Sequence, residues 1–260
     1  MEKPYNGFVR IFKYLQFILR SGNAHAIHSP FVFELYNHLK SGKGLEPLAA
    51  ISGLHDRLKT SNEAMTFDDP GRENRPTTKT IGAIARQSAT GQKSGKILFN
   101  LVKYIKPEHV LELGTSLGIS GLYLSSALDS GELVTVEGVP QIASLAQQHF
   151  KDFKANATVI NSTFVNALSQ FQTDHNTFDL VYLDGHHQKD ATLSYFKQIK
   201  NLVTPNSICI LDDIYWSKGM EEAWVILQKD EDVNISIDLF HFGILIFRKE
   251  TVKQHFKLRI

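Results

Sequence analysis

The sequence predicts an α/β fold: a mostly parallel seven-stranded sheet with helices on both faces, a C-terminal antiparallel hairpin and a helical N-terminal extension. Three observations lead there. From about residue 96 onward, short apolar runs alternate with segments of helical periodicity. The run Ser207 to Leu211 is almost continuously apolar, as a parallel strand buried on both faces must be. Near the end the rhythm changes: Ile235-Ser-Ile-Asp-Leu239 alternates, Gly243 turns, and Ile244 to Phe247 returns. Residues 1–95 are therefore read as a helical extension with a lid loop, and residues 96–260 as the α/β domain.

At 260 residues with 42% hydrophobic side chains, the chain can bury one sizeable core. A formal net charge of +1 gives no global pull toward nucleic acid or an acidic surface. The single cysteine, Cys209, excludes an intrachain disulfide framework and fits a reducing compartment. Inside an apolar strand it reads as a small buried hydrophobe. Arg10, Lys13 and Arg20 interrupt the apolar run from Phe8 to Leu19, so no signal-peptide core is expected. No stretch approaches the ~18 apolar residues of a membrane span. The expectation is a soluble, cytoplasmic protein.

Taken in order, Phe8, Ile11, Phe12, Leu15 and Ile18 recur at three- and four-residue steps and predict a first helix. Arg10, Lys13 and Arg20 lie off that stripe. The stripe is expected to pack on the body of the protein or on a second subunit, which leaves a homodimer open; a basic amphipathic helix can also touch a membrane. Ser29-Pro30 starts a second helix, with Pro30 in its first turn, and Ser41-Gly42-Lys43-Gly44 breaks it. Residues 45–60 make another short helix. Residues 60–79 contain Asp68, Asp69, Arg72, Glu73 and Arg75 and little periodicity, and read as a loop: a lid over a substrate pocket, or a linker. The stretch Gly91-Gln-Lys-Ser-Gly95-Lys96 is one residue short of a phosphate-binding P-loop, lacks Ser or Thr after the lysine and follows no strand, so it is discarded.

The regular part begins with a helix bearing Leu98, Leu101, Val102 and Ile105, stopped by Pro107. Strands are expected at His109–Leu113, Leu133–Glu137, Ala157–Asn161, Phe178–Asp184 and Ser207–Leu211, before the two strands of the hairpin. The intervening helices are expected at 118–128, 140–150, near 164–171, over Leu193 to Val203, and at 220–227.

The chemistry gathers around Val110 to Ser120, which reads V-L-E-L-G-T-S-L-G-I-S. Gly114 can adopt backbone angles forbidden to a side chain, and Gly118 is expected to let the backbone approach a ligand. The following helix offers free N–H groups to an anion. A strand–glycine–helix turn at the carboxyl end of a parallel strand is how open α/β sheets hold a nucleotide-like cofactor, which makes the domain Rossmann-like. Glu137 ends the second strand, where it would accept hydrogen bonds from ribose hydroxyls; the other reading is a surface carboxylate. Asp184 ends the fourth strand, and Asp212 and Asp213 the fifth. Adjacent strands lie ~4.8 Å apart, so these three carboxylates can converge, and three ionised carboxylates need a cation. Hard oxygen ligands suit Mg²⁺ or another divalent ion. The competing readings are a helix N-cap for Asp213 and a turn residue for Asp184. His186 and His187 follow directly. An imidazole there is a general-base candidate, a stacking partner for a flat ring, or a solvated loop residue. Lys189 is a further candidate for proton transfer.

Together, Val110 to Ser120, Val134 to Glu137, Phe178 to His187 and Leu211-Asp212-Asp213 resemble class I S-adenosylmethionine-dependent methyltransferases. Within them the chain is most similar to metal-dependent O-methyltransferases of the catechol and caffeoyl-coenzyme A type and the macrolide-sugar type, over roughly residues 95 to 250. The resemblance implies Gly114 and Ser120 on the methionine part of the cofactor, Glu137 on the ribose, and Thr163 and Phe164 beside the adenine. Glu112, Thr115, Gly118, Gly138, Asp184 and His186 complete the implied cofactor set. Asp184, Asp212 and Asp213 match the metal ligands, and His187 is implied as the base, with Asp184 beside it as the second catalytic residue. The catechol type carries a lysine where this chain has His187, and its later glutamate has no match in the terminal hairpin. The implied reaction is metal-assisted methylation of a small hydroxylated acceptor.

Three other classes are weighed against this. A nicotinamide-dependent oxidoreductase would need G-x-G-x-x-G, whereas Gly114 is followed by Gly118 and Gly121. A methyltransferase acting on RNA or protein lacks support from any basic stripe in the catalytic half, although Arg57 to Lys96 is moderately basic. A non-catalytic cofactor-binding module would not need all three carboxylates. No nucleic-acid partner is expected.

Overall fold

The computed structural model describes residues 3–42, 46–68, 76–88, 90–248 and 251–260. The chain divides into two units, Met1–Asn37 with Leu168–Ile260, and His38–Ala167.

The first unit opens with α1 (Gly7–Arg20), whose N-cap Asn6 accepts the Val9 N–H on its side chain. The apolar stripe does not pack on its own unit, which leaves the second expected cover, another subunit, untouched. Phe8, Ile11, Phe12, Leu15 and Leu19 are exposed, while Phe17 is buried. Lys13 reaches Glu221 at 2.8 Å, and Phe17 packs on Phe240 with ring centroids 5.5 Å apart, and these contacts seat the helix. A 3₁₀ turn at Ala24–Ala26 leads to α2 (Pro30–Leu39).

In His38–Ala167, α3 (Glu46–Lys59) precedes two short antiparallel strands, β1 (Ala64–Asp68) and β2 (Pro76–Thr80), paired from Ala64 with Thr80 to Asp68 with Pro76. Part of the expected loop is therefore a small sheet. Its threonines suit a pleated surface, with the Thr66 and Thr78 hydroxyls 2.8 Å apart. Asp69, Arg72, Glu73 and Arg75 of the expected lid, and Lys43 and Gly44 of the helix breaker, lie outside the described residues. Next come α4 (Ile81–Ser88) and α5 (Gln92–Ile105), the latter starting after Gly91 and closed by Lys106 at φ +50 before Pro107. The unit continues with β3 (His109–Leu113), α6 (Ile119–Ser126), β4 (Glu132–Glu137), α7 (Pro140–Asp152) and β5 (Ala157–Asn161); β3, β4 and β5 are mutually parallel in that order. Val110, Leu111, Leu113, Leu133 and Val136 are fully buried.

After α8 (Phe164–Thr173), the unit with Leu168–Ile260 holds β6 (Phe178–Leu183), α9 (Lys189–Ile199), β7 (Val203–Asp212), α10 (Lys218–Leu227), β8 (Ile235–Asp238), β9 (Phe242–Ile246) and β10 (Gln254–Lys257). Their order is β10-β8-β9-β7-β6. β6 and β7 are parallel, β9 is antiparallel to both β7 and β8, and β10 runs parallel to β8. Among the described residues the two units thus hold three and five such strands, eight rather than the seven expected. The additional strand, β10, carries one apolar side chain, Phe256, too few for a period-two signal. The hairpin turn also falls earlier than Gly243. Phe240 takes φ +73 and donates its N–H to Asp238 Oδ1 at 2.9 Å. Gly243 lies inside β9, where a Cβ would come 2.5 Å from the Trp224 ring. Among the described residues, no helix is long and apolar enough to cross a membrane.

Candidate functional site

Within His38–Ala167 the site begins at the β3–β4 register. Leu113 faces Val136, so the next residues are Gly114 and Glu137. Gly114 takes φ +114, and the N–H groups of Gly114 and Thr115 both donate to the Val136 carbonyl, at 3.1 and 3.2 Å. Gly118 closes the turn by donating to the Thr115 carbonyl at 2.8 Å and caps α6 at φ +79. A Cβ at Gly118 would stand 3.3 Å from Phe150 and 3.4 Å from Ala146, so the missing side chain also admits α7.

Glu137 is more than a surface carboxylate. Its Oε2 accepts the Ser116 N–H and its Oε1 the Val139 N–H, each at 2.9 Å, which fixes a negative charge beside the turn and brackets Gly138. Beneath the turn runs a buried chain: Thr115 Oγ1 lies 2.6 Å from Thr135 Oγ1, which donates to Glu112 Oε2 at 2.6 Å. Glu112 and Thr115 therefore brace the turn from below. Ser120 is buried in the first turn of α6, among N–H groups that have no partner within the helix. Thr163 Oγ1 accepts the Asn166 N–H at 3.3 Å, so it caps α8, and Phe164 beside it is half-buried.

In the other unit, Leu183 of β6 pairs with Leu211 of β7, which sets Asp184 beside Asp212. Burial raises the pKa of both. Asp212 is held well above the usual carboxylate range, by burial and then by the charge of Asp184, and the two carboxyls hydrogen-bond each other. Tyr182 donates its hydroxyl to Asp184 Oδ2 at 3.3 Å, and His187 Nε2 stands 3.5 Å from Asp184 Oδ1. His186 and His187 occupy φ +62 and +27, a conformation uncommon for side-chain-bearing residues. His186 Nδ1 hydrogen-bonds the Tyr195 hydroxyl at 2.5 Å, with the rings stacked at 5.7 Å. Lys189 is paired with Glu222 at 2.7 Å. Of the two base candidates, His187 is the one against Asp184.

Asp213 behaves differently from its neighbours. It takes φ +51, its carbonyl accepts the Trp216 N–H at 2.8 Å, and its Oδ1 lies 3.7 Å from Arg10 Nη2. It is not the helix cap either: Ser217 caps α10, accepting the Met220 N–H at 3.1 Å. Arg10 Cζ sits 5.4 Å from the Trp216 ring centroid, and the His187 ring lies 5.8 Å from the same indole. His241 is shifted down by burial, an effect the charge of Asp213 opposes.

Among the described residues, no group of three or more His, Cys, Asp or Glu side chains is arranged to hold a metal ion. The expected three-aspartate cage is not formed. The Asp184–Asp212 pair still fits a divalent cation by its donor chemistry: two adjacent half-buried carboxyls with raised pKa values disfavour double ionisation, which a hard cation would relieve. Mg²⁺ is commonly held by only one or two carboxylates, with water completing the shell.

Arg10, Trp216, Tyr182 and Tyr195 also belong to this cluster, and sequence reasoning did not find them. Trp216 had a signal, since an aromatic ring three residues beyond Asp213 must stand close to it. Arg10 had none, because a cation off an apolar stripe ordinarily faces water.

Residues 111–214 match a family described as Methyltransferase domain. The chain is 33% identical over 113 residues to the catechol O-methyltransferase of Sus scrofa, covering 42% of this chain and 60% of that protein. It is 26% identical over 124 residues to the catechol O-methyltransferase of Niastella koreensis, covering 46% of this chain and 55% of that one. The chain thus spans little more than half the length of these relatives. It shares its fold with the O-methyltransferase from Bacillus cereus in complex with SAH, at a TM-score of 0.57 and 17% identity, over 78% of this chain and 90% of that one. Residues 111–214 thus resemble a methyltransferase domain, and much of this stretch is similar in sequence to the catechol O-methyltransferases.

Proposed function

We propose that the chain is an S-adenosylmethionine-dependent, divalent-cation-assisted O-methyltransferase acting on a small hydroxylated molecule. The observation that carries the reading is the half-buried Asp184–Asp212 pair with His187 against it, inside the stretch that matches the methyltransferase domain. When bound, S-adenosylmethionine would supply a sulfonium methyl for the acceptor oxygen, leaving S-adenosylhomocysteine, and a cation such as Mg²⁺ would supply positive charge beside that oxygen.

The chain's own residues divide the remaining work. Glu137, already fixed by two N–H groups, accepts from the ribose hydroxyls. Gly114, Thr115, Gly118 and Ser120 line the methionine part, and Thr163 and Phe164 the adenine. Asp184 and Asp212 hold the cation. His187 Nδ1, the ring nitrogen not directed at Asp184, takes the acceptor's hydroxyl proton. Residues 1–95 shape the access of the acceptor. Most of the rate comes from positioning two reactants and from fixed charge at the acceptor oxygen.

The test is incubation with S-adenosylmethionine and a panel of vicinal diols and phenols, read by mass spectrometry. A methylated product is expected with Mg²⁺, falling about a hundredfold or more in chelator. Equal product in both buffers would remove the cation from the proposal, and no product from any acceptor would remove the activity.

A further inference from the structure

Arg10 is a cation whose donors are unspent. Among the described residues its guanidinium makes no hydrogen bond: the carboxylate oxygen beside it, Asp213 Oδ1, stands at 3.7 Å, beyond hydrogen-bond reach. Lys13, one turn further along α1, is by contrast consumed by Glu221 at 2.8 Å. Arg10 is held in place all the same. Its guanidinium lies over the Trp216 indole at 5.4 Å, a stacking arrangement that steadies a planar cation. The preceding segment is tied to the same tryptophan, with the Tyr5 N–H donating to the Trp216 carbonyl at 2.8 Å. About a third of the Arg10 side chain, 37%, is open to solvent.

The indole joins this cation to the reacting end of the cluster. Trp216 has Arg10 against it at 5.4 Å and the His187 ring at 5.8 Å. Both groups border the same indole, so an acceptor that reaches the proposed base also comes near the guanidinium fork. That fork matches a carboxylate bidentately, a geometry a lysine cannot reproduce. Asp213 sets the charge balance. It offsets part of the Arg10 charge without occupying its donors, so the fork discriminates by hydrogen bonding more than by net attraction.

We propose that Arg10 and Trp216 are the specificity determinants of the acceptor site, and that the acceptor is a hydroxylated aromatic acid whose carboxylate is received by Arg10. This rests on the O-methyltransferase reading above. It narrows "small hydroxylated molecule" to an anionic aromatic class.

The test is isothermal titration of the full chain, saturated with S-adenosylhomocysteine, with two probes of similar shape: 3,4-dihydroxybenzoate and 4-methylcatechol. Both are run in Mg²⁺ and repeated in chelator with 4-hydroxybenzoate and 4-methylphenol, so that anion recognition is read apart from the cation. Wild-type protein should prefer the carboxylate in each pair by about tenfold or more. Arg10→Gln should bring the two members of each pair within about threefold, and Arg10→Lys should retain an intermediate preference. The affinity for S-adenosylhomocysteine reports whether each variant is folded. Equal wild-type affinity for both members, absence of acceptor binding to a protein that binds S-adenosylhomocysteine, or equal loss of both probes in Arg10→Gln would each overturn the proposal alone. Failure to bind S-adenosylhomocysteine would overturn the methyltransferase reading, and this proposal with it.

Discussion

Leu183 pairs with Leu211 across β6 and β7, and the next residue on each strand is an aspartate. That one register places Asp184 and Asp212 side by side with burial raising both pKa values. Neighbouring carboxyls of this kind are stable only with a shared proton or a bound cation. Asp184→Asn and Asp212→Asn are therefore each expected to abolish cation-dependent turnover and divalent-ion binding, and to bind S-adenosylhomocysteine as the wild type does in chelator. Mn²⁺ titration alongside calorimetry reads both quantities. Full activity of both variants in chelator would sink the cation assignment.

Glu137 holds the backbone on either side of itself through two N–H groups. Glu137→Ala removes both bonds and the proposed ribose acceptor at once, and should weaken S-adenosylhomocysteine binding by about tenfold or more. Glu137→Gln presents an amide NH₂ to one of the two N–H donors, so it should recover little. Wild-type affinity in either variant would move the ribose contact elsewhere.

Gly118 is constrained twice, by φ +79 and by Phe150 at 3.3 Å from any added Cβ. Gly118→Ala should cost about 1–2 kcal/mol in urea unfolding. Gly7 in the first turn of α1 is the control: a Cβ there meets nothing within 4 Å, so Gly7→Ala should be neutral or slightly stabilising. Equal effects at the two sites would contradict the account of the turn.

Burial pushes the Cys209 thiol up to about 12. A group whose pKa rises on folding contributes stability that is complete below its unfolded pKa, roughly 8.5 for a thiol, and that is lost as the pH climbs through the folded value. The stability of the protein should therefore decline above that range, and Cys209 should resist a disulfide reagent near neutral pH until the chain unfolds. Fast labelling of the folded protein would show that this strand opens readily.

Five large apolar side chains of α1, Phe8, Ile11, Phe12, Leu15 and Leu19, are exposed on a helix whose Arg10 and Lys13 are directed to acidic partners. A face of this size is normally covered, and we expect a second copy of the chain to cover it. Sedimentation should show a dimer that Phe12→Asp converts to monomer. A wild-type monomer at tens of micromolar would contradict it.

The candidate site was legible as a set of positions because each of its strands ends in a residue that the apolar run does not explain. Asp184, Asp212 and Glu137 all stand out in this way, and within one unit the parallel β6–β7 register brings Asp184 and Asp212 side by side. The elements that escaped lacked that contrast. β1 carries Met65 and Phe67 as its large apolar side chains, and β10 only Phe256. The seating of α1 was hidden because periodicity reports the apolar stripe, while the helix is held by Lys13, Arg10 and Phe17 against residues some 200 positions away. At Gly118 the contact with Phe150 of the next helix is a tertiary one that no local pattern encodes.

The central claim is that the chain binds S-adenosylmethionine and uses a cation at the aspartate pair. Calorimetric titration with S-adenosylhomocysteine, in Mg²⁺ and again in chelator, tests it most directly. The account predicts micromolar binding in Mg²⁺, a measurable loss of affinity in chelator, and abolition of that difference by Asp212→Asn. No binding in either buffer would contradict the claim outright and leave the carboxylates with a structural role.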